Sequence, residues 1–419
     1  MTNSDARNTG VPVTIERLGS KGDGQARVGE NWVSVPLALP GEEVRIERDG
    51  ESGKVLEVLR ASPDRAEAPC RHFDTCGACC LQHFSGSTYR HFKRDMIVQA
   101  LKAQGLETQV EDPWLTPPGS RRRIRLAAQM SKEGLHLGYD ARRSDRIVDI
   151  EECAVASPEI VRKLGALREI AAPLAPLKGE MSLIVTAAPN GLDLHMTGVA
   201  TFAAPHDLKM AAAKALAAGF IRVSIGHDVP LSQEEPAFQV GTAFLRPPPG
   251  GELIASAEAE TFMASLVRQH LKFAIDVVNL FSGSGAFALR LAEEARVLAV
   301  DSDAYELNAL EDSAADAPGL KPVTVEMRDL LRDPVPAATL SKFGGLLIDP
   351  PLSGARLQMA EVAMSGVRRV AYVSRDPVQL ARDMRTLADA GYRLNQVYPV
   401  DVLRWSSHVE SVALLERGG

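Results

Sequence analysis

Residues 277–292 read VVNLFSGSGAFALRLA: a short apolar run, a Gly283-Ser-Gly285 turn, then a stretch suited to starting a helix. Glycines at such a turn let the backbone bend sharply and approach a ligand with no side chain in the way. About twenty residues further on, RVLAVDSD ends a second apolar run on Asp301, where a carboxylate can accept hydrogen bonds from both hydroxyls of a ribose. Apolar runs at 276–280, 296–300, 345–348, 370–373 and 412–415 are separated by helical patterns. That alternation predicts an α/β domain with a parallel sheet covered on both faces. Two further acids, Asp329 in EMRDLL and Asp349 in LLIDPP, fall at strand ends. Doubly wound sheets bind ligands there, so both are candidates for the adenine and amino-acid ends of a nucleoside cofactor. The turn continues Ala286-Phe-Ala288 and lacks the third glycine of a dinucleotide fingerprint. S-adenosylmethionine (SAM) is therefore favoured over a nicotinamide cofactor.

Upstream, residues 11–58 alternate in short strands broken at Gly and Asp, as in VPVTIERL, GSKGDGQA and WVSVPLALPGEEVRIER. Period-two alternation of this kind predicts a small β-barrel of the oligonucleotide-binding type. A polar, proline-bearing linker at 62–69 precedes the cysteines at 70–80 and a helical stretch, HFKRDMIVQALKAQG. Strand-like and helix-like segments then alternate from 120 to 240, and a Pro-Gly stretch at 246–251 leads to a further helix pattern. The expected organisation is a barrel over 1–65, a central α+β region over 66–265 and the cofactor domain over 266–419.

A chain of 419 residues has room for two or three cores. No run of about 18 apolar residues predicts a membrane span, and the polar start MTNSDARNTG does not read as a signal peptide. The expected address is cytoplasmic, and the expected state a monomer. A net charge of −7 does not mark a nucleic-acid binder. The charge is uneven, however: residues 120–146 carry eight Lys/Arg against three acids, led by Arg121, Arg122, Arg123 and Arg125. Such a strip either grips phosphates or forms a solvated strand face.

All five cysteines lie at or before Cys153. Closely spaced thiols in a reducing compartment favour metal or cluster ligation over disulfides. An iron–sulfur cluster and zinc both remain open on that ground.

Taken in order, these motifs resemble the bacterial RNA uracil-C5 methyltransferases, which make 5-methyluridine in ribosomal or transfer RNA. The likeness runs through the TRAM-like barrel, Cys70-x5-Cys76-Gly-Ala-Cys79, RRRIRLAAQ, DIEECAV, LFSGSGAFALRLA, LLIDPPLSGA, VAYVSRDPVQLARD and HVESVALLER. The resemblance implies a class I, Rossmann-like SAM methyltransferase domain and an RNA partner. It also implies a 4Fe–4S cluster on Cys70, Cys76, Cys79 and Cys153, with Cys80 a spare. SAM contacts carry over to Phe281, Gly283, Gly285, Asp301, Asp329 and Asp349, and the general base to Glu410.

In that family a cysteine thiolate adds to carbon 6 of uracil, making carbon 5 nucleophilic enough to take a methyl group. Here the matching Ser-Cys-Asn-Pro pattern reads Ser374-Arg375-Asp376-Pro377. Arginine has no lone pair to offer at neutral pH. Further departures are Ala286 for an amide side chain, Leu352 for an arginine, and Arg404-Trp405-Ser406-Ser407 in the closing motif. The resemblance thus implies a SAM-dependent RNA methyltransferase whose uracil-C5 reaction is impaired. Methylation of another base atom and RNA binding without chemistry are the alternatives.

Overall fold

The computed structural model describes residues 10–418 apart from Phe202 and His227; the polar start at 1–9 lies outside the described residues. Strands Val11–Leu18, Gly24–Val28, Asn31–Val35, Glu43–Asp49 and Ser52–Arg60 close into a barrel. Their alternation turns Val13, Ile15, Ala26, Val33, Val35, Val44 and Ile46 inward. Closure leaves no unpaired strand edge. A second, seven-stranded sheet follows in the order 147–149, 134–140, 123–131, 181–188, 191–197, 220–225, 228–232. Helix Pro205–Ala217 makes the crossover between its one parallel pair.

The carboxy-terminal sheet positions the site. Seven of its nine strands are Asp276–Leu280, Arg296–Asp301, Val323–Met327, Gly345–Ile348, Arg369–Ser374, Tyr392–Asp401 and Glu410–Arg417. Counted in chain order they lie 3-2-1-4-5-7-6, the arrangement of class I SAM methyltransferases. The first five run parallel. The run at 412–415, expected in the parallel set, is instead antiparallel to both its neighbours. Val323–Met327 and Tyr392–Asp401 escaped the sequence reading because polar residues interrupt their apolar pattern.

Residues 86–115, central by sequence, pack in space against this sheet. Strands Gln109–Val110 and Trp114–Leu115 both pair with Tyr392–Asp401. Helix Gly86–Ala103 starts earlier than its apolar pattern suggests, because Ser85 caps it by accepting a hydrogen bond from the Thr88 N–H. Ile97 and Leu101 join the core that holds Val110, Leu380 and Met384.

One turn earlier on the same helix, Lys93 and Asp401 form a fully buried ion pair at 2.8 Å. Lys93 also donates to the His408 carbonyl. Tyr89 donates its hydroxyl proton to Asp401 Oδ2 at 2.6 Å and accepts from the Trp405 N–H at 2.7 Å. The Cys80 and Leu81 amides both donate to the Trp405 carbonyl. The loop from Asp401 to Glu410 is thereby held from the cysteine-bearing side of the molecule.

Several arginines of the basic strip at 120–146 form cross-links within the chain. Arg122 pairs with buried Glu260 at 2.6 Å, and Glu260 also takes Arg290 at 2.9 Å. Arg125 donates to Ser182, and Arg143 pairs with Asp23 on the barrel. Arg142 donates to the carbonyls of Phe73 and Cys79. Nothing in a single sequence reveals that these arginines face other elements of the same chain.

Removing one member of a buried pair strands the other's charge, at a cost of about 3–5 kcal/mol. Lys93→Met is expected to destabilise the carboxy-terminal domain by that order, and a Lys93→Met/Asp401→Leu double variant to recover most of it. Urea unfolding checks this; a single variant as stable as the parent would contradict it.

Candidate active site

At the carboxyl ends of the parallel strands lies a cavity of about 340 Å³. The first strand ends on Phe281, whose φ of 57° is rare for a residue with a side chain. Strained conformations of this kind gather at ligand sites. The turn then passes through Gly283 and Gly285, both at positive φ. A Cβ on Gly285 would lie 2.3 Å from Leu310 Cδ1, so only glycine fits there. The Gly283 N–H donates to Asp301 Oδ2 at 2.9 Å, tying the glycine turn to the tip of the second strand. Arg290 donates to the Ala286 carbonyl at 2.6 Å and braces the turn from behind.

The fourth strand ends on Asp349, whose Oδ1 is buried with no hydrogen-bond partner. Burial pushes its carboxyl up to about 6, against the lowering effect of Arg375. Arg375 approaches Asp349 Oδ2 at 3.9 Å and donates to Glu252 Oε2 at 3.2 Å. The sheet register explains the next neighbour. The antiparallel pairing ends with Ser374 opposite Ser411, and Arg375 and Glu410 flank that last pair. Burial pushes the Glu410 carboxyl up to about 7, with Arg375 opposing and Asp349 reinforcing the shift. Ser374 is spent locally, its hydroxyl donating to the Asp376 carbonyl at 2.9 Å. Asp376 in turn caps helix Pro377–Asp389.

Phe281, Gly283, Gly285, Asp301, Asp329, Asp349 and Arg375 thus all line one cavity. Asp329 is exposed at its rim, accepting from the Leu331 N–H. Arg375 also borders a larger groove of about 1080 Å³, with Lys21 of the barrel, His91, Phe92, Pro377 and His408. The guanidinium therefore stands between the two spaces.

The TRAM domain family matches residues 7–47. An RNA methyltransferase of Brucella suis, itself uncharacterized, is 41% identical over 408 residues, spanning 97% of this chain and 98% of its own length. The 23S rRNA (uracil(1939)-C(5))-methyltransferase RlmD of Chromohalobacter salexigens is 32% identical over 97% of this chain and 89% of its own length. The chain belongs to this RNA methyltransferase family. The tRNA (uracil-54, C5)-methyltransferase of Pyrococcus abyssi, solved with S-adenosyl-L-homocysteine, superposes with a TM-score of 0.75. That match covers 96% of this chain and 99% of the archaeal one; at 20% identity it bears on the fold.

Within this family member, two acids at the site had no sequence signal. Glu252 follows the Pro-Gly stretch and reads as a loop acid, yet it reaches Arg375. Glu306 sits in the first turn of helix Ala304–Ala315 and reads as a plain helix-start acid. Its Oε1 accepts from the Glu252 N–H at 2.9 Å, tying segment 251–254 to the start of that helix. Burial pushes its carboxyl up to about 7.

The cysteines divide as their spacing suggests. Cys153 is close enough to Cys70, Cys76 and Cys79 to raise each thiol further than burial already does, and Cys79 reaches about 12. Cys80 stands apart, packed against Leu39, Leu81, Phe84 and Tyr89. Arg121 lies beside Cys79, its Nε and Nη2 buried and without a hydrogen-bond partner. Among the described residues, no group of three or more His, Cys, Asp or Glu side chains is placed to hold a metal ion.

A carboxyl whose folded pKa is raised favours the fold below its unfolded value, and that contribution fades as pH rises through the folded value. For Glu410 the window runs from 4.5 to about 7. Glu410→Gln is therefore expected to lose less stability than the parent between those pH values, measured by thermal unfolding across a pH series. Parallel curves would contradict the shift.

Proposed function

We propose that this protein is a SAM-dependent methyltransferase of ribosomal or transfer RNA that works without an enzyme thiolate. The observation that carries the reading is Arg375, held between Asp349, Glu252 and Glu410 where covalent uracil-C5 chemistry needs a cysteine. A guanidinium in that setting stays protonated and adds to nothing. The five cysteines give no substitute: Cys70, Cys76 and Cys79 gather around Cys153, and neither these nor Cys80 lines the cavity.

The cavity suits the methyl donor. Asp301 is placed for ribose hydroxyls, and the orphaned Asp349 Oδ1 offers an acceptor beside the glycine turn. Leu253, Ile254, Phe281 and Leu330 supply apolar wall for the adenosyl group. When bound, SAM supplies an electrophilic methyl carbon. The chain's own part is to orient it and to bring an acceptor nucleotide through the groove on the far side of Arg375. That groove joins barrel, helix Gly86–Ala103 and the Asp401–Glu410 loop, as a single-stranded RNA track requires. No described helix is long and apolar enough to cross a membrane; the enzyme is proposed to act as a cytoplasmic monomer.

Cys70, Cys76, Cys79 and Cys153 are proposed to hold a 4Fe–4S cluster. Four thiolates on such a cluster carry net negative charge, and the unpartnered Arg121 guanidinium beside Cys79 matches it. The cluster's part is structural, since Arg142 fastens the Phe73 and Cys79 carbonyls of the same loop.

RNA containing 5-fluorouracil is expected to give no denaturation-resistant adduct with the purified protein, read by gel shift under denaturing conditions; an adduct would sink the thiolate-free reading. Anaerobically purified protein is expected to carry iron and acid-labile sulfide that Cys79→Ser lacks. Zinc in their place, or equal iron in the variant, would count against the cluster.

A further inference from the structure

Residues 246–251 read Arg-Pro-Pro-Pro-Gly-Gly and run directly into Glu252, Leu253 and Ile254, which line the donor cavity. Prolines have no N–H to give, so such a stretch is fastened through its carbonyl groups. We propose that residues 247–255 form a strap through which the second, seven-stranded sheet shapes the donor cavity, with Arg222 as a positioning residue for the methyl donor. The inference rests on SAM as the ligand of that cavity. It adds residues of a separate sheet to those that set the fit.

Three observations carry it. The register of the parallel pair sets Arg222 beside Asp193, and its Nε and Nη2 donate to the two carboxylate oxygens at 2.9 and 2.8 Å. Both side chains are only 6% exposed. The same guanidinium reaches the strap, Nη1 donating to the Pro247 carbonyl at 2.9 Å and Nη2 to the Pro248 carbonyl at 3.3 Å. A planar fork can serve a carboxylate and two carbonyls together, which a lysine ammonium cannot. Next, Gly250 adopts a φ of +73° and lies against His195, where a Cβ would sit 2.6 Å from the ring Cδ2. Its carbonyl accepts from Arg123 at 3.0 Å. Finally, the far end of the strap is held by Arg122, just ahead of strand Arg123–Ser131. Its Nε donates to the Ile254 carbonyl at 3.1 Å and its backbone N–H to the Ala255 carbonyl at 2.8 Å. The three cavity-lining residues thus hang between two anchors, and neither anchor belongs to the carboxy-terminal sheet.

A cavity wall already in place costs a ligand nothing to order, and affinity rises accordingly. Released from either anchor, a segment carrying Gly250 and Gly251 regains more backbone freedom than most. Ordering it then falls to the methyl donor, and binding weakens. Arg222 does not line the cavity, so its effect reaches the donor only through the strap. Its loss therefore acts on donor binding and leaves the transfer step alone.

The test uses full-length protein and S-adenosylhomocysteine, with affinity read by calorimetry. Arg222→Lys keeps a cation against Asp193 but loses the fork, while Gly250→Ala forces the strap off His195 without touching the ion pair. Each is expected to raise the Kd by roughly tenfold. In methyl transfer to total RNA from a strain lacking the gene, the KM for SAM is expected to rise in step, with kcat unchanged. Arg222→Met/Asp193→Leu removes the strap's donors while stranding no charge, and is expected to raise the Kd by as much. A parent-like Kd in these variants, a loss confined to thermal stability, or a fall in kcat at unchanged KM would overturn the strap. A parent protein that binds no S-adenosylhomocysteine would overturn the SAM reading, and the strap with it.

Discussion

The carboxylates of Glu252, Asp349 and Glu410 gather around the one guanidinium of Arg375, with Asp301 near enough to Asp349 to raise its pKa further. Like charges this close cannot all ionise without a cation among them. Asp349 and Glu410 remain raised even so, because burial outweighs the attraction. A thiol at position 375 would leave those acids uncompensated, whereas arginine is held there by attraction from every side. The acids and the arginine form one electrostatic unit, and the chemistry open to the site follows from it.

That unit is braced from regions far away in sequence. Glu306 holds the Glu252 amide, while Glu260 gathers Arg122 and Arg290, and Arg290 holds the Ala286 carbonyl of the glycine turn. On the opposite side, Lys93 and Tyr89 fix Asp401 at the head of the loop that ends in Glu410. The Cys80 and Leu81 amides reach the same loop through the Trp405 carbonyl. Ordering of the cysteine segment and of the loop that ends in Glu410 is thus shared through direct hydrogen bonds.

The parallel strands, the glycine turn and the acids at strand tips were legible because each carries a local signature: a buried apolar run, a Gly-x-Gly, an Asp directly after a strand. Asp301 and Asp349 accordingly lie on the cavity where the pattern puts them. What escaped was non-local. The antiparallel insertion of Glu410–Arg417 reads locally like any buried strand, and Tyr392–Asp401 is too polar to stand out. The cross-links of the basic strip were hidden for the same reason, since Arg122 and Arg143 find their partners 138 and 120 residues away. Glu252 and Glu306 gain their roles only when the segment before helix Ala257–Leu271 folds over the glycine turn.

The most direct measurement is a crystal structure of the protein with S-adenosylhomocysteine and a short uridine-bearing oligonucleotide. The account predicts the thioether sulfur in the cavity between Gly283 and Asp349, with the Arg375 guanidinium between the sulfur and the base and no cysteine sulfur near the base. A base bonded to Cys80, or a homocysteine sulfur lying away from Asp349 and Arg375, would contradict it.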